Sequence, residues 1–195
     1  MNPADLNGEI LLLAYAQGCF PMPDSSGEKI DWYRPDPRAI IPLDGFHVSR
    51  SLSKILRRSD FEVRVNTAFT QVMTECGKRE ETWITDAFIR AYGELHTLGF
   101  AHSLEIFRKE RCVGGVYGVS LGGAFFAESM FHSEDNMSKV ALKALVDRLR
   151  EKKFSLLECQ FLTPHLESLG AIEMSDSEYM KRLAEALSEN PDFSN

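Results

Sequence analysis

Three segments rich in apolar, β-branched and aromatic residues run in close succession: His102 to Arg108, Cys112 to Val119 and Ala124 to Met130. Lys109-Glu110 and Leu121-Gly122-Gly123 connect them. Connections this short cannot carry a crossover, so the three segments are expected to pair as an antiparallel meander. A helix expected over Met137 to Lys152 leads to a fourth strand at Phe154 to Phe161. Strands paired in a meander and then joined through a helix predict an α+β fold, with a mixed, largely antiparallel sheet flanked by helices.

The element order resembles the acetyltransferase-like (GNAT) fold, which fixes no reaction by itself. Ahead of the meander, a helix is expected from Asn7, or from Asn2-Pro3, to Gln17, ending at Gly18. Pro21, Pro23, Ser25, Ser26 and Gly27 read as a loop. Trp32-Tyr33-Arg34-Pro35-Asp36-Pro37-Arg38 reads as an extended, proline-stiffened connector. This predicts a small N-terminal subdomain over residues 1–37 and a larger GNAT-like domain over 38–195. Within the latter, Ser49 can cap a helix, Phe61 to Val65 alternates as a strand, and Asn66 can cap a helix to about Lys78. Phe88, Ala91, Tyr92 and Leu95 give a helix from Thr85 or Asp86 to Leu98. A short strand over Ala171 to Met174 and a helix opening on the Ser175/Glu178 capping box end the chain.

The chain has 195 residues, 44% apolar and 26% charged, enough for one good core. Ile10 to Ala16, the longest apolar run near the start, is too short to span a bilayer, so no membrane helix or signal peptide is expected. Cys19, Cys76, Cys112 and Cys159 form no C-x-x-C pair, which suits a reducing cytoplasm better than a disulfide framework or a zinc site. The net charge of −7 disfavours general attraction to nucleic acid. Its distribution does not: Arg50, Lys54, Arg57 and Arg58 recur on one helical stripe with no acid between Phe46 and Arg58, beside an apolar stripe of Val48, Leu52, Ile55 and Leu56. Such a stripe is either a solvated helix face or a ridge that holds phosphates at chosen points.

Glu128 stands among Phe125, Phe126, Ala127 and Met130, where an unpartnered carboxylate would be costly to bury. It therefore either anchors a structural hydrogen bond or meets a substrate. Strict alternation places Phe126, Glu128 and Met130 on one face and Phe125, Ala127 and Ser129 on the other. By the same rule Glu158 and Gln160 share a face, as a solvated pair or as a site that holds an attacking amine. Trp83 lies in a loop, where an aromatic ring can stack on a base. No P-loop, G-x-G-x-x-G, G-x-S-x-G or metal-ligand spacing occurs, so neither a cofactor nor a metal is expected.

Taken together, Cys19-Phe20-Pro21, the Trp32 to Arg38 segment, His47-Val48-Ser49-Arg50-Ser51, Thr82-Trp83-Ile84-Thr85, Gly99 to Glu105, Val113 to Val119 and Glu128-Ser129-Met130-Phe131 closely resemble the bacterial leucyl/phenylalanyl-tRNA–protein transferases. The resemblance runs in order from about Leu12 to Met174. It implies an enzyme of the N-degron pathway that moves leucine or phenylalanine from its tRNA to the N-terminal Lys or Arg of an acceptor protein. By resemblance, Gln160 holds the attacking amine and Glu158, where family members often carry aspartate, supports it. Val116, Phe125, Leu142, Leu145 and Leu157 would line an apolar pocket, and Trp83 would stack on the terminal adenine opposite Met22, where relatives usually carry an aromatic residue. Glu128 would meet the acceptor's cationic first residue, and the stripe from Arg50 to Arg58 would touch tRNA. Phe125 and Glu128 in one site conflict with strict alternation, so either the strand is bulged or one residue is misassigned, and which of Phe125 and Phe126 lines the pocket stays open. The resemblance also implies a late start and a minimal N-terminal subdomain. A monomer is expected. The rival readings are a non-catalytic module that binds basic N-termini and an acyl-CoA-dependent N-acetyltransferase.

Overall fold

Asn2 and Asn7 open the chain by capping: Asn2 holds a 3-10 turn over Pro3–Asp5, and Asn7 Oδ1 accepts the Ile10 N–H at 3.0 Å at the start of α1 (Gly8–Ala16). The computed structural model describes residues 1–24, 26, 28–58, 60–79 and 82–194. Leu11 and Tyr15, one helical turn apart, put the buried stripe of α1 against the core. Gly18, at φ +74°, ends the run as expected and sends its N–H back to the Tyr15 carbonyl at 3.0 Å.

The segment read as loop and connector is instead a hairpin of β1 (Phe20–Pro23) and β2 (Ile30–Tyr33), with Pro21 opposite Trp32 and Met22 opposite Asp31. This pair forms its own two-stranded sheet, so each strand keeps a free edge on which proline is tolerated. Ser25 and Gly27, read as part of the loop, lie outside the described residues.

The main sheet is built from β3 (Arg38–Ile40), β4 (Glu62–Val65), β5 (Ala101–Arg108), β6 (Arg111–Leu121), β7 (Ala124–His132), β8 (Leu156–Glu158) and β9 (Ile172–Met174). Its spatial order among the described residues is β4-β5-β6-β7-β8-β3-β9. The β5-β6-β7 meander is antiparallel, as its short connections require, and among the described residues only the β7-β8 pair is parallel, joined through α5 (Met137–Glu151). The fold is thus mixed α+β with a largely antiparallel sheet. On one face lie α3 (Phe69–Cys76) and α4 (Asp86–Thr97), whose Phe88, Ala91, Tyr92 and Leu95 are buried beside Tyr15, Tyr117 and Phe126. The other face carries α5, with Leu142, Leu145 and Leu149 buried against Val116, Phe125 and Leu157. Each such aliphatic side chain removed from water contributes about 1.5–3 kcal/mol. Helix α2 (Arg50–Arg58) rests Leu52 and Ile55 on this second cluster. The remaining helices are α6 (Pro164–Glu167) and α7 (Asp176–Leu187), the latter capped by Ser175 at the Glu178 N–H.

Asn66 is no helix cap. At φ +58° it turns the chain and bonds β5 instead, accepting the Ser103 N–H at 3.0 Å. The N–H groups of Thr67 and Ala68 ahead of α3 are taken by Glu105, a buried carboxylate projecting from the sheet. A partner 37 or 38 residues away thus replaces the local cap.

Two departures from regular strand geometry create the site. Along β6 and β7, Tyr117 faces Ser129 while the next residue, Gly118, faces Ala127, so Glu128 is an extra residue in a β-bulge. Only glycine fits at 118, because a Cβ there would collide with the Phe126 carbonyl oxygen and the Phe125 ring. The bulge resets alternation: Phe126 and Phe131 face the α3-α4 cluster, whereas Phe125, Ala127 and Met130 face the α5 cluster. Strict alternation therefore misplaces Met130. Likewise, the strand read as ending at Phe161 ends at Glu158, because Gln160 adopts φ +59°. On β3, Ala39 holds the turn with its carbonyl to the Cys159 N–H at 3.0 Å and its N–H to the Gln160 carbonyl at 3.1 Å. That left-handed conformation costs a residue with a Cβ about 1–2 kcal/mol.

Candidate active site

Strands β7 and β8 pair only from Ala124 opposite Leu156 to Phe126 opposite Glu158; beyond that β8 stops while β7 runs on to His132. A cavity of about 330 Å³ opens where they part. Val116, Ala127, Met130 and Leu142, with Phe20 and Met22 from the hairpin and Trp83, give it an apolar lining, and Arg79, Glu128, Ser129, Gln160, Thr163 and His165 supply polar atoms. An apolar cleft with a few convergent polar groups is the usual form of a small-ligand site.

Glu128 has the partners that its apolar neighbours demanded. Tyr15 donates its hydroxyl to Oε1 at 2.7 Å, Tyr92 donates to Oε2 at 3.2 Å, and Gln160 Nε2 donates to Oε1 at 3.2 Å. The two tyrosine hydroxyls also touch each other. Burial pushes the Glu128 carboxyl up to about 8; the charge of Glu158 adds to this, while the bonds from Tyr15 and Tyr92 oppose it. Burial, reinforced by the charge of Glu128, likewise raises both tyrosines well above the ordinary phenol range, so they act as neutral donors.

Behind this layer Glu158, 0% exposed, is paired with Arg38, 1% exposed, through Nη1 to Oε1 at 2.8 Å. The same oxygen accepts the Gln160 N–H at 3.0 Å. Burial raises Glu158 above the usual carboxylate range and Arg38 pulls it back. Arg38 Nη2 also donates to the Gly18 carbonyl, and its guanidinium lies 4.3 Å from the centre of the Tyr179 ring.

Of the residues singled out in the sequence, Met22, Trp83, Val116, Glu128, Leu142 and Gln160 line this cavity. Phe125, Phe126, Leu145, Leu157 and Glu158 do not reach its lining; all five are buried, Phe126 in the α3-α4 cluster and Phe125, Leu145 and Leu157 in the α5 cluster. Trp83 stands edge-on to Phe88, with ring centres 5.3 Å apart. Arg50, Lys54, Arg57 and Arg58 lie exposed on α2, away from the cavity lining, and none of them is in an ion pair among the described residues.

The sequence offered no role for Tyr15, Tyr92 or Arg38. Tyr92 reads as one more core residue of a helical repeat, and its meeting with Glu128 depends on how α4 packs across the sheet. Arg38 sits in a proline-rich connector, where nothing local marks it for burial. Phe161 is 46% exposed yet also lines the cavity, because the chain reverses at Gln160.

Two family models match the chain, leucyl/phenylalanyl-tRNA protein transferase over residues 40–184 and the N-terminal domain of the same family over 4–36. A curated relative from Cereibacter sphaeroides, named leucyl/phenylalanyl-tRNA–protein transferase, is 54% identical over 194 residues, covering 99% of this chain and 91% of its own. One of the same name from Rubrobacter xylanophilus is 50% identical over 183 residues, covering 93% and 95%. Among solved structures, L-PGS from Bacillus licheniformis aligns at 14% identity with a TM-score of 0.44, over 82% of this chain and 55% of that one. Matched by both models and half identical to these relatives along nearly its whole length, the chain belongs to the leucyl/phenylalanyl-tRNA protein transferase family.

Proposed function

We propose that the protein transfers leucine or phenylalanine from aminoacyl-tRNA to the N-terminal Lys or Arg of acceptor proteins. The observation that carries this reading is the placement of Gln160 and Glu128 on the cavity beside its apolar wall, where Val116 and Leu142 lie. An aminoacyl ester is already activated, so the reaction is aminolysis: the acceptor α-amine attacks the ester carbonyl carbon and the C–N bond forms. The bond to the 3′-terminal ribose oxygen then breaks, and the amine proton leaves with that oxygen.

Gln160 Nε2 is occupied by Glu128, which leaves Oε1 to accept from the attacking amine. An α-amine has a reference pKa near about 8, so a fixed acceptor that orients the neutral form is useful at neutral pH. Glu158, fully buried, acts through the Gln160 N–H rather than on substrate. Orientation is the main contribution, worth on the order of 7–11 kcal/mol at best for well-placed reactants. The apolar wall admits leucyl and phenylalanyl groups and rejects polar ones by desolvation, while separating apolar neighbours by only about 1–3 kcal/mol per methylene. Trp83 and Met22 flank the terminal adenine, Glu128 meets the acceptor's cation, whose charge beside it favours the ionised carboxylate against the pull of burial, and Arg50, Lys54, Arg57 and Arg58 contact tRNA phosphates. Residues 1–37 act as a small subdomain that lends the cavity a wall, residues 38–195 form the catalytic domain, and the protein works as a monomer in the cytoplasm.

The test is transfer of radiolabelled phenylalanine from charged tRNA to an arginine-starting peptide, with uncharged tRNA as control. Wild type transfers the label, and Gln160→Ala abolishes transfer while circular dichroism is unchanged. No transfer by wild type overturns the reading, and an unaffected rate in Gln160→Ala removes Gln160 from the mechanism.

A further inference from the structure

The hydrogen bonds around the cavity form a closed ring. Starting at Glu128, Oε1 accepts from Gln160 Nε2, and the Gln160 backbone N–H donates to Glu158 Oε1. Glu158 Oε1 is paired with Arg38 Nη1, and Arg38 Nη2 donates to the Gly18 carbonyl. The Gly18 N–H returns to the Tyr15 carbonyl, and the Tyr15 hydroxyl donates to Glu128. Two links of this ring are made by one guanidinium. Arg38 is itself buried and away from the cavity lining.

We propose that Arg38 is a positioning residue that holds Gln160 in its left-handed turn, through Glu158, and ties that turn to the end of α1 that carries Tyr15. The inference rests on the transferase reading above. Three observations support it. Gln160 takes a backbone conformation that a residue with a Cβ avoids, so something must hold it, and the carboxylate that grips its N–H is gripped in turn by Arg38. Arg38 projects from β3, the strand whose Ala39 bonds Cys159 and Gln160, so both sides of the turn are set by adjacent residues. Arg38 further lies over the Phe20 and Tyr179 rings, 5.5 and 4.3 Å from their centres, which restrains its fork while two of its nitrogens are used. A lysine could pair with Glu158 but, as a point charge without the planar fork, could not span to the Gly18 carbonyl in the same geometry.

The experiment measures kcat and KM for phenylalanyl-tRNA separately in wild type, Arg38→Lys and the double variant Arg38→Met/Glu158→Gln. The double variant removes both charges together, because Arg38→Met alone would leave Glu158 buried and unpaired. The expected result for the double variant is kcat lower by about 100-fold, the cost of a misplacement near 1 Å, with KM changed by less than about threefold. Arg38→Lys recovers part of kcat. Independently of turnover, amide hydrogen exchange at Gln160 should be slow in wild type and fast in the double variant. Wild-type kcat with unchanged Gln160 exchange in the double variant would overturn the proposal, as would a loss confined to KM. Absence of transfer by wild type would instead overturn the reading on which it rests, and the exchange measurement would still decide whether Arg38 holds the turn.

Discussion

Gln160 Nε2 lies 3.2 Å from Glu128 Oε1, across the gap that opens where β7 and β8 cease to pair. Two residues 32 positions apart are joined there by two separate irregularities, a bulge at Glu128 and a left-handed turn at Gln160. Without the bulge, alternation along β7 would run on unshifted past Glu128. Without the turn, Gln160 would continue along an extended strand.

The raised Glu128 carboxyl makes stability depend on pH. Its pKa moves from an ordinary 4.5 to about 8 on folding, so between those values the folded state binds the extra proton. The stabilisation is fully present below about 4.5 and is lost as pH rises through about 8. Urea unfolding at several pH values should therefore show wild type losing stability relative to Glu128→Gln as pH rises across this window. Parallel curves would contradict the assignment.

Gln160→Gly and Gln160→Ala should both lose transfer but differ in stability. Both forfeit the bond to Glu128, while only glycine relieves the positive φ, by about 1 kcal/mol. For a chain of this size that places the glycine variant about 2–4 °C above the alanine variant in calorimetric Tm. Equal midpoints would mean that the turn carries no strain.

Leu142→Ala should widen the cavity at a buried position. The expected cost is about 2–5 kcal/mol of stability. The ratio of kcat/KM for phenylalanyl over leucyl donors should rise about tenfold, as a larger slot favours the larger side chain. Parallel transfer assays with the two charged tRNAs measure it, and an unchanged ratio would place the side-chain slot elsewhere.

Charge reversal at Arg57 and Arg58, both exposed in the last turn of α2, should weaken tRNA binding with little effect on folding. Loss of two phosphate contacts lowers the slope of log affinity against log salt by about 2. The stability change should stay within about 1 kcal/mol, from the helix dipole. A salt titration of tRNA binding checks this, and an unaltered slope would remove α2 from the interface.

Much of the architecture was legible because it is local. Two connections too short for a crossover dictated the meander, and helical repeats such as Phe88, Ala91, Tyr92 and Leu95 marked their helices. Gly18 marked a helix end, because positive φ there leaves little choice of residue. The apolar surroundings of Glu128 announced that polar partners had to meet it, since a lone buried carboxylate is costly. Several linked motifs, together specific, resembled the family to which the chain belongs.

Which partners meet Glu128 was beyond the sequence, because Tyr15 and Tyr92 come from helices 113 and 36 positions away and look locally like ordinary core residues. The bulge at Glu128 is a property of two strands in register, and alternation along one strand cannot reveal it. Nor could the chain alone show that Arg38 is buried against Glu158, since a charge enters the interior only when packing brings its counter-ion to the same place. The residue types needed for the chemistry were thus set by the amino-acid order. Tertiary packing decided which of them face the cavity and which act from behind it, because burial and pairing arise only between distant segments.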